Sequence, residues 1–156
     1  MAAMSDTFEN KLIDFLLRAQ ALGITGASAA AGTGPVTTWV ALFTVAPTDS
    51  TAGTEVTGGS YARVSVTSAL TAWAGTQGAG TTVASTGTTG TTSNNNVLTF
   101  PAPSANWGVV VAAGIFDAVT AGTLLLYGSV TPNKTVNNAD PAPSYAAAAL
   151  TFQIDN

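Results

Sequence analysis

Cysteine and histidine are both missing from this 156-residue chain. Without cysteine there is no disulfide, no thiol nucleophile and no thiolate for a metal. Without histidine there is no Ser-His-Asp triad, no imidazole base and no Cys/His zinc site. The fold must be held by packing alone. Charge is almost as scarce, with four Lys/Arg and eight Asp/Glu making up 8% of the residues, against about 25% in ordinary soluble domains. The cations Lys11, Arg18, Arg63 and Lys134 are widely spread. No basic stripe exists to displace counterions from a phosphate backbone, so nucleic acid is not an expected partner. No apolar run approaches the length of a membrane span, so a membrane is not expected either. The opening Met1-Ala2-Ala3-Met4-Ser5-Asp6 has no basic region, and Asp14 and Arg18 interrupt the apolar stretch that follows. A secretory signal is therefore not expected.

What the chain does have is Gly, Ala and Thr. The length predicts one domain with an arm. A folded chain of this mass exposes on the order of 7,000 Å², over which so few charges are thin cover. This predicts small side chains in tight β-packing, with part of the surface covered by other subunits. Residues 64 to 116 carry no charge at all. Sheet edges normally protect themselves with charge, so a partner over some edges is expected.

The first segment has a helical period. Phe8, Leu12, Phe15, Leu16 and Ala19 share one face, and Ile13 and Leu17 widen it. Asp6 with Glu9 reads as a capping box, Asp14 and Arg18 form an acid-first i,i+4 pair, and Gly23 is a stop signal. The spacing predicts a helix over about 6–22. It either packs on its own β-domain or serves as an arm docking on a neighbouring subunit. Residues 27–35 are small and read as a linker.

Beyond the linker the pattern turns to strands: 36–45, 61–67, 97–100, 109–116, 123–127 and 145–154, with weaker candidates at 70–74, 81–85 and 134–136. Turns are expected at 120–122, 131–134 and 137–141. The fold class is mainly β, an antiparallel β-sandwich or jelly-roll-like domain (or a small barrel) with one N-terminal α-helix. The domain division is 1–34, helix and Gly/Ala linker arm, and 35–156, β-domain. Residues 76–96 are low-complexity Gly, Thr, Ser and Asn, which read as a flexible linker or an irregular hairpin.

Conventional catalytic groups are few. Asp49, Asp117 and Asp140 sit in turn-like settings, where aspartate is favoured for local backbone hydrogen bonds. Asn137, Asn138 and Asp140 offer oxygens for a cation but lack EF-hand spacing, so no metal is expected. The Gly-rich stretches lack phosphate-loop grammar, and there is no nucleophile elbow. Asn133-Lys134-Thr135 matches an N-glycosylation sequon, a three-letter pattern that arises often by chance. No catalytic residue and no cofactor are expected. Of the tryptophans, Trp39 and Trp107 read as packing residues, and Trp73 is the best candidate for exposure beside the polar tract. The interface candidates are Phe8, Leu12, Phe15, Leu16 and Trp73.

One ordered series spans nearly the whole chain. It starts with Asn10-Lys11-Leu12-Ile13-Asp14-Phe15-Leu16-Leu17-Arg18. Val40-Ala41-Leu42-Phe43-Thr44 follows, and then Thr54-Glu55-Val56-Thr57-Gly58-Gly59-Ser60-Tyr61-Ala62-Arg63-Val64. Leu98-Thr99-Phe100-Pro101, Ala105-Asn106-Trp107-Gly108 and Gly114-Ile115-Phe116-Asp117-Ala118 come next. Gly122-Thr123-Leu124-Leu125-Leu126-Tyr127-Gly128 and Lys134-Thr135-Val136-Asn137 close it. In this series the chain resembles a family of small tailed-bacteriophage virion structural proteins, often labelled tail-fibre or head-decoration. It departs from them in its long Thr/Gly tract and in Ala146 to Ala149.

The resemblance implies a non-enzymatic protein of the virion. Small size, the absence of a fibrous repeat and the low-charge surface favour a capsid decoration or cement protein. The expected partners are itself, as a homo-oligomer with a trimer among the options, and the major capsid protein or tail proteins. The alternative is a tail-associated fibre or receptor-binding protein. A third reading, an enzyme acting on cell-wall glycans, would need two carboxylates across a cleft, and no such pair stands out.

Overall fold

The computed structural model describes residues 4–24 and 34–154. It is mainly β, with one N-terminal helix and antiparallel sheets, as the pattern predicts. The described residues fall into two compact units, each built from separated stretches of chain. One draws on Met1–Thr37, Thr67–Val97 and Tyr145–Asn156, the other on Thr38–Val66 and Leu98–Ser144.

The first unit holds the helix, α1, over Asp6–Arg18. Both ends differ from the expectation. Ser5 occupies the N-cap position, without a side-chain cap bond, and its carbonyl accepts from Phe8 and Glu9. Asp6 is thus already helical, and its charge faces the partial positive end of the helix dipole. The helix stops at Arg18, well before Gly23, because Ala19 turns left-handed at φ 55° and Gln20 N–H donates to the Asp14 carbonyl. Most of the linker expected at 27–35 lies outside the described residues.

In the same unit β4 (Thr91–Ser93) pairs with β9 (Thr151–Gln153), Thr92 opposite Phe152. Here the expected strand 145–154 breaks into β8 (Ser144–Tyr145) and β9. Alanine has little β preference, and the intervening Ala146–Ala149 closes as a turn, with Ala149 N–H donating to Ala146 O and Ala148 at φ 64°. The low-complexity tract contains β4, which its composition conceals. The weak candidates at 70–74 and 81–85 are not strands; Trp73 makes an isolated bridge to Asn94.

The second unit is built on a five-stranded antiparallel sheet. Its order is β2 (Thr54–Glu55), β1 (Thr37–Val45), β6 (Gly108–Phe116), β7 (Leu124–Val136), with β3 (Val64–Thr67) also paired to β1. β5 (Leu98–Thr99) pairs with β8 as a short separate ladder. β1 and β6 are buried on both faces, so they read as continuous apolar runs. Ala41, Phe43, Ala112 and Phe116 form one core cluster, with the Phe43 and Phe116 rings stacked at 6.2 Å.

β7 runs well past the expected end at Tyr127, straight through the supposed turn at 131–134. Opposite β6 the register jumps between Val110↔Lys134 and Ala112↔Ser129. Residues 130–133 bulge there, where Pro132 has no N–H to offer the ladder. The expected strand 61–67 starts late, at Val64, because Gly58, Gly59 and Ser60 all have positive φ and Tyr61 N–H closes a turn on Gly58 O.

Candidate interface

α1 has two contrasting faces. One is fully covered and mostly polar: Glu9, Asn10, Ile13, Asp14, Leu17 and Arg18 are buried. At about 100° per residue, these six lie nearly opposite Phe8, Leu12, Phe15 and Leu16, which are only half-buried. The apolar face read from the sequence is therefore not the one the helix buries most completely.

The polar face grips the low-complexity tract of its own unit. Asn10 Nδ2 donates to Gly87 O at 2.9 Å, and Thr76 Oγ1 donates to Asn10 Oδ1 while accepting from Gly87 N–H at 2.8 Å. Asp14 accepts from Ser85 N–H at 2.9 Å and from the Ser85 hydroxyl at 2.6 Å. Arg18 is wholly buried; its guanidinium pairs with Asp14 and donates to Val83 O at 2.6 Å and Trp73 O at 3.0 Å. The i,i+4 pair expected on a helix surface is thus an interior ion pair. That burial is tolerable because every charged group has several partners.

Trp73, the tryptophan that read as the best candidate for exposure but more readily as a packing residue than as a ligand platform, is 0% exposed. It packs edge-on against Phe152 at 6.1 Å in the core of its unit. Trp107 is a packing residue as expected, 5% exposed with Nε1–H donating to Gly59 O at 2.9 Å. Trp39 is half-buried in β1.

The second unit has its own polar network, which sequence reading missed. Glu55 accepts from Arg63 at both oxygens, 2.9 and 2.7 Å, and from Tyr61 Oη at 3.0 Å. Arg63 also donates to Ala118 O and Ala121 O and lies 3.5 Å above the Phe116 ring. Tyr61 Oη accepts from Leu42 N–H, and its ring meets Trp107 edge-on at 5.3 Å. Burial pushes the Tyr61 phenol well above its ordinary range, with Glu55 adding to the rise. The signal was present in Glu55, Tyr61 and Arg63, a rare cluster of polar groups around a strand in a charge-poor chain.

Asp117, Asp140 and Asp49 are occupied in structural roles. Asp117 Oδ1 accepts from Thr123 N–H at 2.7 Å and Asp140 Oδ2 from Asn137 N–H at 2.7 Å, the local backbone bonds expected of turn aspartates. Asp49 accepts from Tyr127 Oη at 2.6 Å, a bond that raises the Tyr127 pKa. Among the described residues no three His, Cys, Asp or Glu side chains converge as a metal site. Among them, too, no helix is long and apolar enough to cross a membrane.

What remains is a small β-protein with an apolar helix face, whose polar groups are spent on its own architecture. Over residues 3–153 it matches the family described as podophage GP4 fiber I protein gp80. The chain belongs to that family. No curated protein matches it. It is a non-enzymatic structural protein of the phage fibre, located in the virion, and it associates with other virion proteins. The fibre assignment favours the tail-associated alternative over capsid decoration or cement, the reading that small size and lack of a repeat had favoured. Neither feature separates the two, since a fibre can include a globular component without any repeat of its own.

Proposed function

We propose that this chain is a globular component of the podophage tail fibre that assembles with copies of itself and with neighbouring tail proteins through the outer face of α1. Family membership over nearly the whole chain supports the fibre location. The face itself is supported by one observation: Phe8, Leu12, Phe15 and Leu16 are half-buried on the side of α1 away from its polar anchor. Fully burying an exposed side chain of this kind is worth roughly 1.5–3 kcal/mol, and completing the cover of these half-buried ones adds a part of that each, enough for a specific contact when several act together. The sparse charge of the chain fits a surface largely covered in the particle.

Copy number in purified virions, measured by quantitative mass spectrometry against the major capsid protein, tests the location. A few copies per particle, with antibody label at the tail, are expected. A copy number comparable to that of the capsid protein would instead mean decoration, because only the head lattice offers so many equivalent sites.

A further inference from the structure

We infer that α1 and residues 76–87 form a two-state clamp in which helix and tract are ordered together or released together. The tract is uncharged and made of Gly, Thr, Ser, Ala, Val and Gln, a composition that buries too little apolar surface to order itself. Beside its own internal bonds and those to Gly75 and Asn95, it is held by the bonds that Asn10, Asp14 and Arg18 make with Thr76, Val83, Ser85 and Gly87. The dependence runs the other way as well. Arg18 is 0% exposed and Asp14 7% with the tract seated, and its release would strip the pair of Val83 and Ser85 and leave Arg18 held only by Asp14 and the Trp73 carbonyl. Leaving one partner of such a network unsatisfied costs far more than the network gains per bond. Half-docked states are therefore disfavoured, and the pair behaves as one cooperative unit.

The fit is close as well as polar. A Cβ on Gly87 would lie 2.1 Å from the Thr76 carbonyl oxygen, so Gly87→Ala would force apart the two ends of the tract that meet at Asn10. The outer face of α1 is free of these contacts. Anything that binds only the seated helix must therefore also stabilise the tract, by linkage. Seating of α1 thus controls how the exposed Thr82–Ala84 stretch, which Arg18 holds at Val83, is presented.

Hydrogen exchange by mass spectrometry on the full chain tests this, with Ser85→Ala as the mild variant and Gly87→Ala as the severe one. Neither substituted residue lies in α1, and Ser85→Ala removes only the hydroxyl that bonds Asp14 and Arg18. Exchange is expected to rise together in 6–18 and 76–87, by at least about tenfold for Gly87→Ala, while β1 and β6 keep their protection in Ser85→Ala. Exposure of the tract with α1 still protected would overturn the clamp, as would unchanged exchange in both segments. Loss of protection in β1 and β6 with Ser85→Ala would also overturn it, since the helix and tract would then be part of one global unit.

Discussion

Asn94 ties its own stretch to the 146–150 turn with a single side chain. Its amide nitrogen donates to Asn96 O at 2.7 Å and Ala146 O at 2.8 Å, and its oxygen accepts from Leu150 N–H at 2.8 Å. It is 1% exposed, so water cannot replace these bonds. Asn94→Ala should cost about 1–3 kcal/mol, as the buried Leu150 N–H and two part-buried carbonyls lose their partner. A urea melt checks this, and a loss below about 0.5 kcal/mol would mean the turn at 146–149 holds itself. Gly114 carries a different constraint. A Cβ there would lie 2.8 Å from Leu124 Cδ1, 3.0 Å from the Phe43 ring and 3.1 Å from Leu126 O. The Leu124 methyl can swing away, but the ring and the backbone oxygen cannot easily move. Gly114→Ala should therefore destabilise by about 1–3 kcal/mol through overpacking, read as a lowered midpoint with unchanged denaturant slope.

α1 was the most legible element, and its orientation was the least. The 3.6-residue period announced a helix, but the stripe of Phe8, Leu12, Phe15 and Leu16 suggested the wrong buried side. Hydropathy ranks Glu9, Asn10, Asp14 and Arg18 as surface residues, whereas a long-range network made them interior. No local pattern reveals that Ser85 and Val83, some 70 residues away, complete those bonds. β1 and β6 were legible because continuous β-branched and apolar runs mark strands covered on both faces. β4 was not, since Thr91–Ser93 is indistinguishable from the Thr-rich sequence around it. β7 was cut short by reading Pro132 as a turn when it lies in a bulge. Of the interface candidates, the four helical residues lie together on one face while Trp73 lies in the core. This sets a prediction at the level of the helix. Leu12→Gln with Leu16→Gln should abolish incorporation into particles while leaving the far-UV β signal intact, because the bonds of the polar face are untouched. Western blotting of purified virions reads the first and circular dichroism the second. Loss of the β signal as well would make the face part of the core.

Across the whole molecule, the scarcity of titratable groups gives stability an unusual dependence on pH. With no histidine and no cysteine, no side chain has an ordinary pKa between about 5 and 8, so stability should be nearly flat from pH 6 to 9. The alkaline side is different. Burial pushes the Tyr145 phenol up to about 12 and drives Tyr61 higher still. In the unfolded chain both phenols ionise near 10. Above pH 10 the unfolded state therefore binds fewer protons than the folded one, and stability falls as pH rises. The contribution is whole below pH 10 and is lost progressively as pH climbs through 12. Thermal midpoints from pH 6 to 12 should trace a plateau and then a steep alkaline decline. Tyr145→Phe should make that decline shallower, because phenylalanine has no proton to lose in either state. An equal decline in the variant would assign the alkaline loss to the other raised phenols, Tyr127 bonded to Asp49 and above all Tyr61, whose hydroxyl accepts from Leu42 N–H and donates to Glu55. Ionisation there would remove the donor that Glu55 uses and place two negative oxygens 3.0 Å apart. The sheet would then fail at the network that Arg63 holds against Phe116.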